Sequence, residues 1–189
     1  FEMITLAPLA ESDASELAAA LRGVGGTAAR VDDKALERLL ERAGGHPLYL
    51  LELLTYADEG AADEALPESV ESLVTTRIDR LPAEDRLLMR EAAVVGQVID
   101  IGLLAAAVDK PDLAEPQRRQ SLSEFVEPRE PGRFRFRQDL YRAFAYEGLA
   151  YRRRRQVHLS LGEEIERVAR DSRDEVAALL STHFDRARD

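Results

Sequence analysis

Apolar residues recur at helical spacing along almost the whole chain, and glycine or proline interrupts the pattern before any helix can grow long. That punctuation restricts the fold to many short helices. Ser12 or Asp13 can cap a helix to about Arg22, which Gly23-Val24-Gly25-Gly26 ends. Asp32 caps the next, with Leu36, Leu39, Leu40 and Ala43 on one face and Gly44 as terminator. Pro47 opens a third through Leu50, Leu51, Leu53 and Leu54 to Gly60, because a first-turn proline lacks only a donor that would be idle there. The acidic, alanine-rich stretch Asp58–Ala65 reads as a linker. Pro67 and Pro82 then open two helices, with apolar faces at Val70, Leu73, Val74, Ile78 and Leu81, and at Leu87, Leu88, Ala92 and Val95. Asp100 is a good N-cap for Ile101–Val108, and a further helix is expected over Asp112–Ser123. Helices resume at about Gln138–Leu149, Arg152–Arg170 (Val157, Leu161, Ile165, Val168) and Glu175–Ala187.

Two segments depart from the helical rule. Phe125-Val126-Glu127 and Arg133-Phe134-Arg135-Phe136 flank the turn Pro128–Gly132, a β-hairpin signal. Phe1–Leu6 alternates weakly as a short strand stopped by Pro8. The expected class is mainly α: a small acidic helical bundle, then three helices and a two-stranded wing in winged-helix order, then a helical pair. One such pair establishes no repeat period.

Charge narrows the partners. The 189 residues carry a net −10. Residues 1–65 hold 5 basic against 13 acidic groups, residues 66–130 hold 8 against 13, and residues 131–189 hold 13 against 10. An acidic chain with its positive charge gathered at one end is a poor general binder of phosphate backbones, so nucleic acid is not an expected partner. There is no cysteine, hence no disulfide, thiolate nucleophile or cysteine-based zinc site, which fits a reducing, cytoplasmic setting. Apolar runs such as Leu48–Leu51 and Leu103–Val108 fall far short of the ~20 residues that span a bilayer, so no membrane role is expected. Nothing reads as a secretion leader. The chain opens on Phe1 inside a strand-like segment, so it is expected to be a fragment of something longer.

Catalytic chemistry finds no foothold. No G-x-x-x-x-G-K-[ST] phosphate loop occurs, and the cluster Gly23–Thr27 lacks the lysine and reads as a helix-ending loop. His46, His158 and His183 are too far apart for H-x-x-x-H metal spacing, and no metal or catalytic residue is expected. Arg152-Arg153-Arg154-Arg155 points around all sides of a helix start and opposes its dipole by ~0.3–1 kcal/mol per exposed charge, so nearby carboxylates are expected to compensate. Gly44-Gly45-His46-Pro47 joins a helix C-cap directly to a proline-initiated helix. This corner serves structure alone, or presents an apolar ring suited to packing on a flat base.

In combination these elements resemble a family. Leu39-Leu40-Glu41-Arg42-Ala43-Gly44-Gly45-His46-Pro47-Leu48-Tyr49-Leu50-Leu51-Glu52-Leu53-Leu54 is similar to the lid-helix segment of the signal-transduction ATPases with numerous domains, AAA-related P-loop switches with a glycine-x-proline motif. Leu66-Pro67-Glu68-Ser69-Val70 through Arg77-Ile78-Asp79-Arg80-Leu81-Pro82 resembles their link from lid to winged helix. Phe134-Arg135-Phe136-Arg137-Gln138-Asp139-Leu140-Tyr141-Arg142 and the segment Ala145–His158 resemble the close of that winged helix and the helix after it. The likeness is strongest to the ATPase segment fused to bacterial adenylate/guanylate cyclases, then to large LuxR-type transcription regulators.

The resemblance implies four parts: residues 1–10 as the last strand of an upstream P-loop domain, 11–65 as the helical lid, 66–150 as the winged helix, and 151–189 as the start of a helical, repeat-like arm. It implies ATP or ADP as cofactor of the longer parent, with none expected on these residues alone. Pro47 matches the proline beside the adenine, supported by Gly44, Gly45 and His46. After the Phe136-Arg137 pair the family usually carries a phosphate-sensing histidine; here Gln138 stands in its place, able to donate a hydrogen bond but not to carry charge. The implied partners are the upstream P-loop domain and an effector domain of the same chain, with protein partners on the arm. Two rivals stay open: a winged-helix transcription regulator that binds DNA, and a helical interaction module without nucleotide.

Overall fold

A computed structural model describes residues 7–23, 31–58, 68–114, 121–170 and 173–188. The expected strand Phe1–Leu6, the loop after Gly23 and most of the linker before Ser69 lie outside the described residues, as does the middle of the helix expected over Asp112–Ser123. The chain divides between Arg77 and Ile78 into two compact units. Residues 151–188 fall together with residues 78–150 in the second of these.

The first unit is a helical bundle of α1 (Glu11–Gly23), α2 (Asp33–Ala43), α3 (Pro47–Tyr56) and the first two turns of α4 (Val70–Arg80). Its core joins Ala14 and Ala18 to Leu39, Leu50, Leu53, Leu54 and Leu73, each nearly or wholly buried. The local signals act as their chemistry predicts. Asp32 accepts the Ala35 N–H at 2.6 Å, and Gly44 takes the left-handed conformation (φ 55°) while its N–H reaches back to the Leu40 and Glu41 carbonyls. One charged pair is sealed inside this apolar bundle: Arg77 donates to Glu52, with both side chains at most 3% exposed.

The second unit runs α5 (Ala83–Val95), β1 (Val98–Asp100), α6 (Ile101–Ala107), a 3-10 turn at Pro111–Ala114, β2 (Val126–Glu130), β3 (Arg133–Phe136), α7 (Asp139–Glu147), α8 (Tyr151–Val168) and α9 (Arg173–Arg188). The hairpin forms where expected, with Gly132 (φ 76°) in its turn. The sheet nevertheless has three strands rather than two. β1 adds antiparallel to β3, in the order β1-β3-β2, with Ile99 opposite Phe134. Three residues are too few to show alternation. Asp100, expected only as a cap, both ends this strand and accepts the Leu103 N–H at 3.0 Å. Phe125 and Phe136 are fully buried beneath the hairpin, and Tyr141 meets Phe125 edge-on at 5.3 Å.

α8 packs on α5 and α6, and α9 packs on α8. The last two helices approach closely at Gly162, where a Cβ would come within 2.7 Å of the Phe184 ring. Val168, expected on the apolar face of α8, is 68% exposed; the buried face ends at Ile165.

Candidate functional site

Gly44, Gly45, His46 and Pro47 form one rigid corner of the first unit. Two consecutive left-handed glycines (φ 55° and 76°) turn the chain between α2 and α3. Gly45 is also pinned from outside, since its carbonyl accepts the Leu9 N–H at 2.8 Å. A Cβ on Gly45 would lie 2.4 Å from the Leu9 carbonyl oxygen, so only glycine fits. His46 caps α3 through its side chain, with Nδ1 accepting the Tyr49 N–H at 3.3 Å, which places the neutral ring's proton on Nε2. Pro47 follows in the first turn with its ring exposed. The apolar, donor-free ring of Pro47 thereby stands exposed on a corner set by the two left-handed glycines and the Leu9 bond.

Beside this corner lies an open cleft of about 600 Å³ lined by Leu9, Gly44, Gly45 and three glutamates, Glu11, Glu37 and Glu41. Its negative potential opposes a polyphosphate.

Arg137 and Gln138 stand at the strand-to-helix junction of the second unit. Arg137 is committed within the protein: Nε donates to the Ser123 carbonyl at 3.0 Å, Nη1 meets Glu127 at 3.3 Å, and its N–H donates to the Phe125 carbonyl at 2.9 Å. Arg135 shares Glu127, and its hydrogen bond is the main reason that carboxyl is held below its usual range; Coulombic attraction to Arg135 and Arg137 adds to this. Gln138 occupies the N-cap position of α7 by its backbone, its carbonyl accepting the Tyr141 N–H at 3.2 Å. Its side chain makes no capping bond, leaving a half-buried amide uncommitted to the helix. The six residues therefore form two contiguous groups, one in each unit.

The arginine run finds separate partners. Arg153 donates to the fully buried Glu91 through Nε at 2.8 Å. Arg154 reaches the Glu147 and Leu149 carbonyls at 3.1 and 3.2 Å and lies over the Tyr146 ring at 4.3 Å. Arg155 donates to the Ala187 carbonyl at 2.8 Å, satisfying the end of α9, while Arg152 is exposed. The expected carboxylates are Glu91 for Arg153 and Glu147 for Arg154, the latter at 3.5 Å; the backbone carbonyls at helix ends, which no side-chain pattern announces, do the rest.

It also missed a contact. His158 and His183, dismissed on spacing, meet across α8 and α9 with Nδ1 to Nδ1 at 2.9 Å. The legible signal was position: His158 falls on the stripe of Leu161 and Ile165, where a polar residue needs a partner. Among the described residues no group of three metal-ligating side chains assembles, and no helix is long and apolar enough to cross a membrane.

Compared with models of known protein families, with curated proteins and with solved structures, the chain gives no match.

Proposed function

We propose that this chain is the moving part of an ATP-dependent signalling switch: a helical lid, a winged helix and the start of a helical arm, acting with a P-loop domain that precedes it in a longer cytoplasmic protein. The observation that carries this reading is the Gly44–Pro47 corner, an exposed proline ring on a backbone fixed by two left-handed glycines and by Leu9. It suits one face of an adenine. The glutamates of the cleft on the Gly44–Gly45 side make that cleft unfit for phosphates. The residues present thus fit the base of ATP or ADP and not its phosphate chain, which the upstream domain would cradle. The uncommitted amide of Gln138 is the second contact, a neutral donor toward a phosphate oxygen.

In this reading the chain performs no chemistry of its own. It reports which nucleotide is bound, and an effector such as a nucleotide cyclase responds. Driving a switch from 1:99 to 99:1 takes ~5.5 kcal/mol of differential binding. One proline contact and one neutral hydrogen bond of ~0.5–1.5 kcal/mol fall short of that, so the upstream domain must supply most of the discrimination.

The test is hydrogen exchange on the full-length parent with ATP and with ADP. The reading expects protection of Gly45–Tyr49 and Arg137–Tyr141 to differ between the two nucleotides. A parent gene without a G-x-x-x-x-G-K-[ST] motif upstream of Phe1, or identical protection in both states, overturns it.

A further inference from the structure

The C-terminal end of α5 together with α7, α8 and α9 lines an open cleft of about 460 Å³ in the second unit. A hydrogen-bonded row runs along its wall. Tyr146 Oη lies 3.0 Å from Nε2 of His158, and Nδ1 of His158 lies 2.9 Å from Nδ1 of His183. Both imidazoles are at most 4% exposed. Arg142 and Arg186 line the same cleft. Among the described residues Arg142 is bonded only through Nε, to the Ala93 carbonyl at 3.1 Å, and Arg186 makes no ion pair. The one carboxylate of the lining, Glu147, is 71% exposed and turns to Arg154 at 3.5 Å.

The row has a direction. Two facing Nδ1 atoms cannot both carry a proton, so one donates and the other accepts. The Arg154 guanidinium over the Tyr146 ring makes that phenol a better donor and a poorer acceptor. With Tyr146 donating to Nε2 of His158, His158 donates to Nδ1 of His183, and the proton of His183 then sits on Nε2. Burial is the chief cause that pushes both imidazoles down, His158 to about 4, with His183, Arg186, Arg154 and Arg142 adding to the effect on His158. The pair is therefore neutral at pH 7, and the positive charge of the cleft belongs to the two arginines.

We propose that this cleft binds the phosphate dianion of a small molecule, held by Arg142, Arg186 and the Nε2–H of His183. Two guanidinium groups balance two negative charges, and a neutral imidazole donor adds direction without adding charge. A metal ion fits worse, because the same two arginines repel it and no third ligand stands near among the described residues.

The test titrates the 189-residue chain with orthophosphate and, separately, with glycerol phosphate at neutral pH, following the imidazole signals of His158 and His183 by NMR. The expected result is a saturable shift of both rings. Arg186→Gln, at an exposed position, should weaken binding about tenfold, and Arg186→Lys, which keeps the charge, should recover most of it. Tighter binding of the ester identifies a phosphorylated small molecule as the ligand, and equal binding identifies free phosphate; either supports the proposal. Rings unmoved up to about 10 mM of both probes, where affinity no longer supports a site, overturn it. So does a shift with zinc alone, or full binding by Arg186→Gln.

Discussion

Removing either partner of the Glu91–Arg153 pair breaks the same hydrogen bonds, yet the two changes should differ sharply. Glu91 is 0% exposed, while the Arg153 side chain is 31% exposed. Among the described residues Glu91 has one other cation near it, Lys110 at 3.8 Å, outside hydrogen-bond range. Arg153→Leu therefore strands a buried carboxylate, a change that costs ~3–5 kcal/mol when nothing else compensates and about 2–3 kcal/mol with the lysine still present. Glu91→Leu fills the same space with apolar atoms and leaves an arginine already a third exposed to water, so it should cost about 1 kcal/mol or less. The double variant should resemble Glu91→Leu alone. The assay is urea unfolding followed by helical circular dichroism, comparing midpoints at constant slope. Equal losses from the two single variants, or a larger loss from Glu91→Leu, would refute the reasoning, because the pair would then stabilise by attraction rather than by satisfying a buried charge.

Three further outcomes are expected. Gly45→Ala should lower stability by at least about 2 kcal/mol, since a Cβ would sit 2.4 Å from a backbone oxygen at φ 76°; a thermal midpoint equal to that of the parent sequence would show that the Leu9 contact is not fixed. Stability should be fully present above pH 6.5 and fall as pH drops toward 4, because the unfolded chain takes up protons near 6.5 while His158 stays neutral to about 4. That gap is worth about 3 kcal/mol, and His158→Asn should flatten it in urea midpoints measured at pH 7 and pH 5; an unchanged slope would place the histidine in water. These 189 residues alone should show no micromolar affinity for ATP by calorimetry, since the Arg142–Arg186 cleft matches a single phosphate dianion; a tight isotherm would mean that they hold a triphosphate cradle of their own.

The features legible in the sequence are those whose physics is local. Asp32, Gly44, Pro47 and Asp100 announce helix ends because each satisfies, or omits, a backbone group within four residues of itself. The hairpin was legible for the same reason, through Gly132 and the alternation of Arg133–Phe136. β1 was not, since Val98–Asp100 is a strand only because β3 offers it an edge. Of the corner, the Gly44 cap and the Pro47 start were legible, but the Leu9 bond to Gly45 and the His46 side-chain cap were not. The His158–His183 contact was not legible either: it spans 25 residues and exists because two helices pack antiparallel, although Gly162 inside a helix marked the place where they come close. The run Arg152–Arg155 looked like one feature and is three anchors, which only the neighbours of α8 reveal.

The most direct test of the switch reading is the rate at which the full-length parent releases nucleotide when Gln138 is changed. A neutral hydrogen bond from the glutamine amide to a phosphate is worth ~0.5–1.5 kcal/mol, and a charged donor ~1.5–3 kcal/mol. Gln138→Ala should therefore speed release severalfold at every pH. Gln138→His should slow it, more at pH 6 than at pH 8, because imidazole gains its charge near 6.5. If neither substitution changes the release rate at either pH, Gln138 does not face the nucleotide, and the switch reading loses its contact in the second unit.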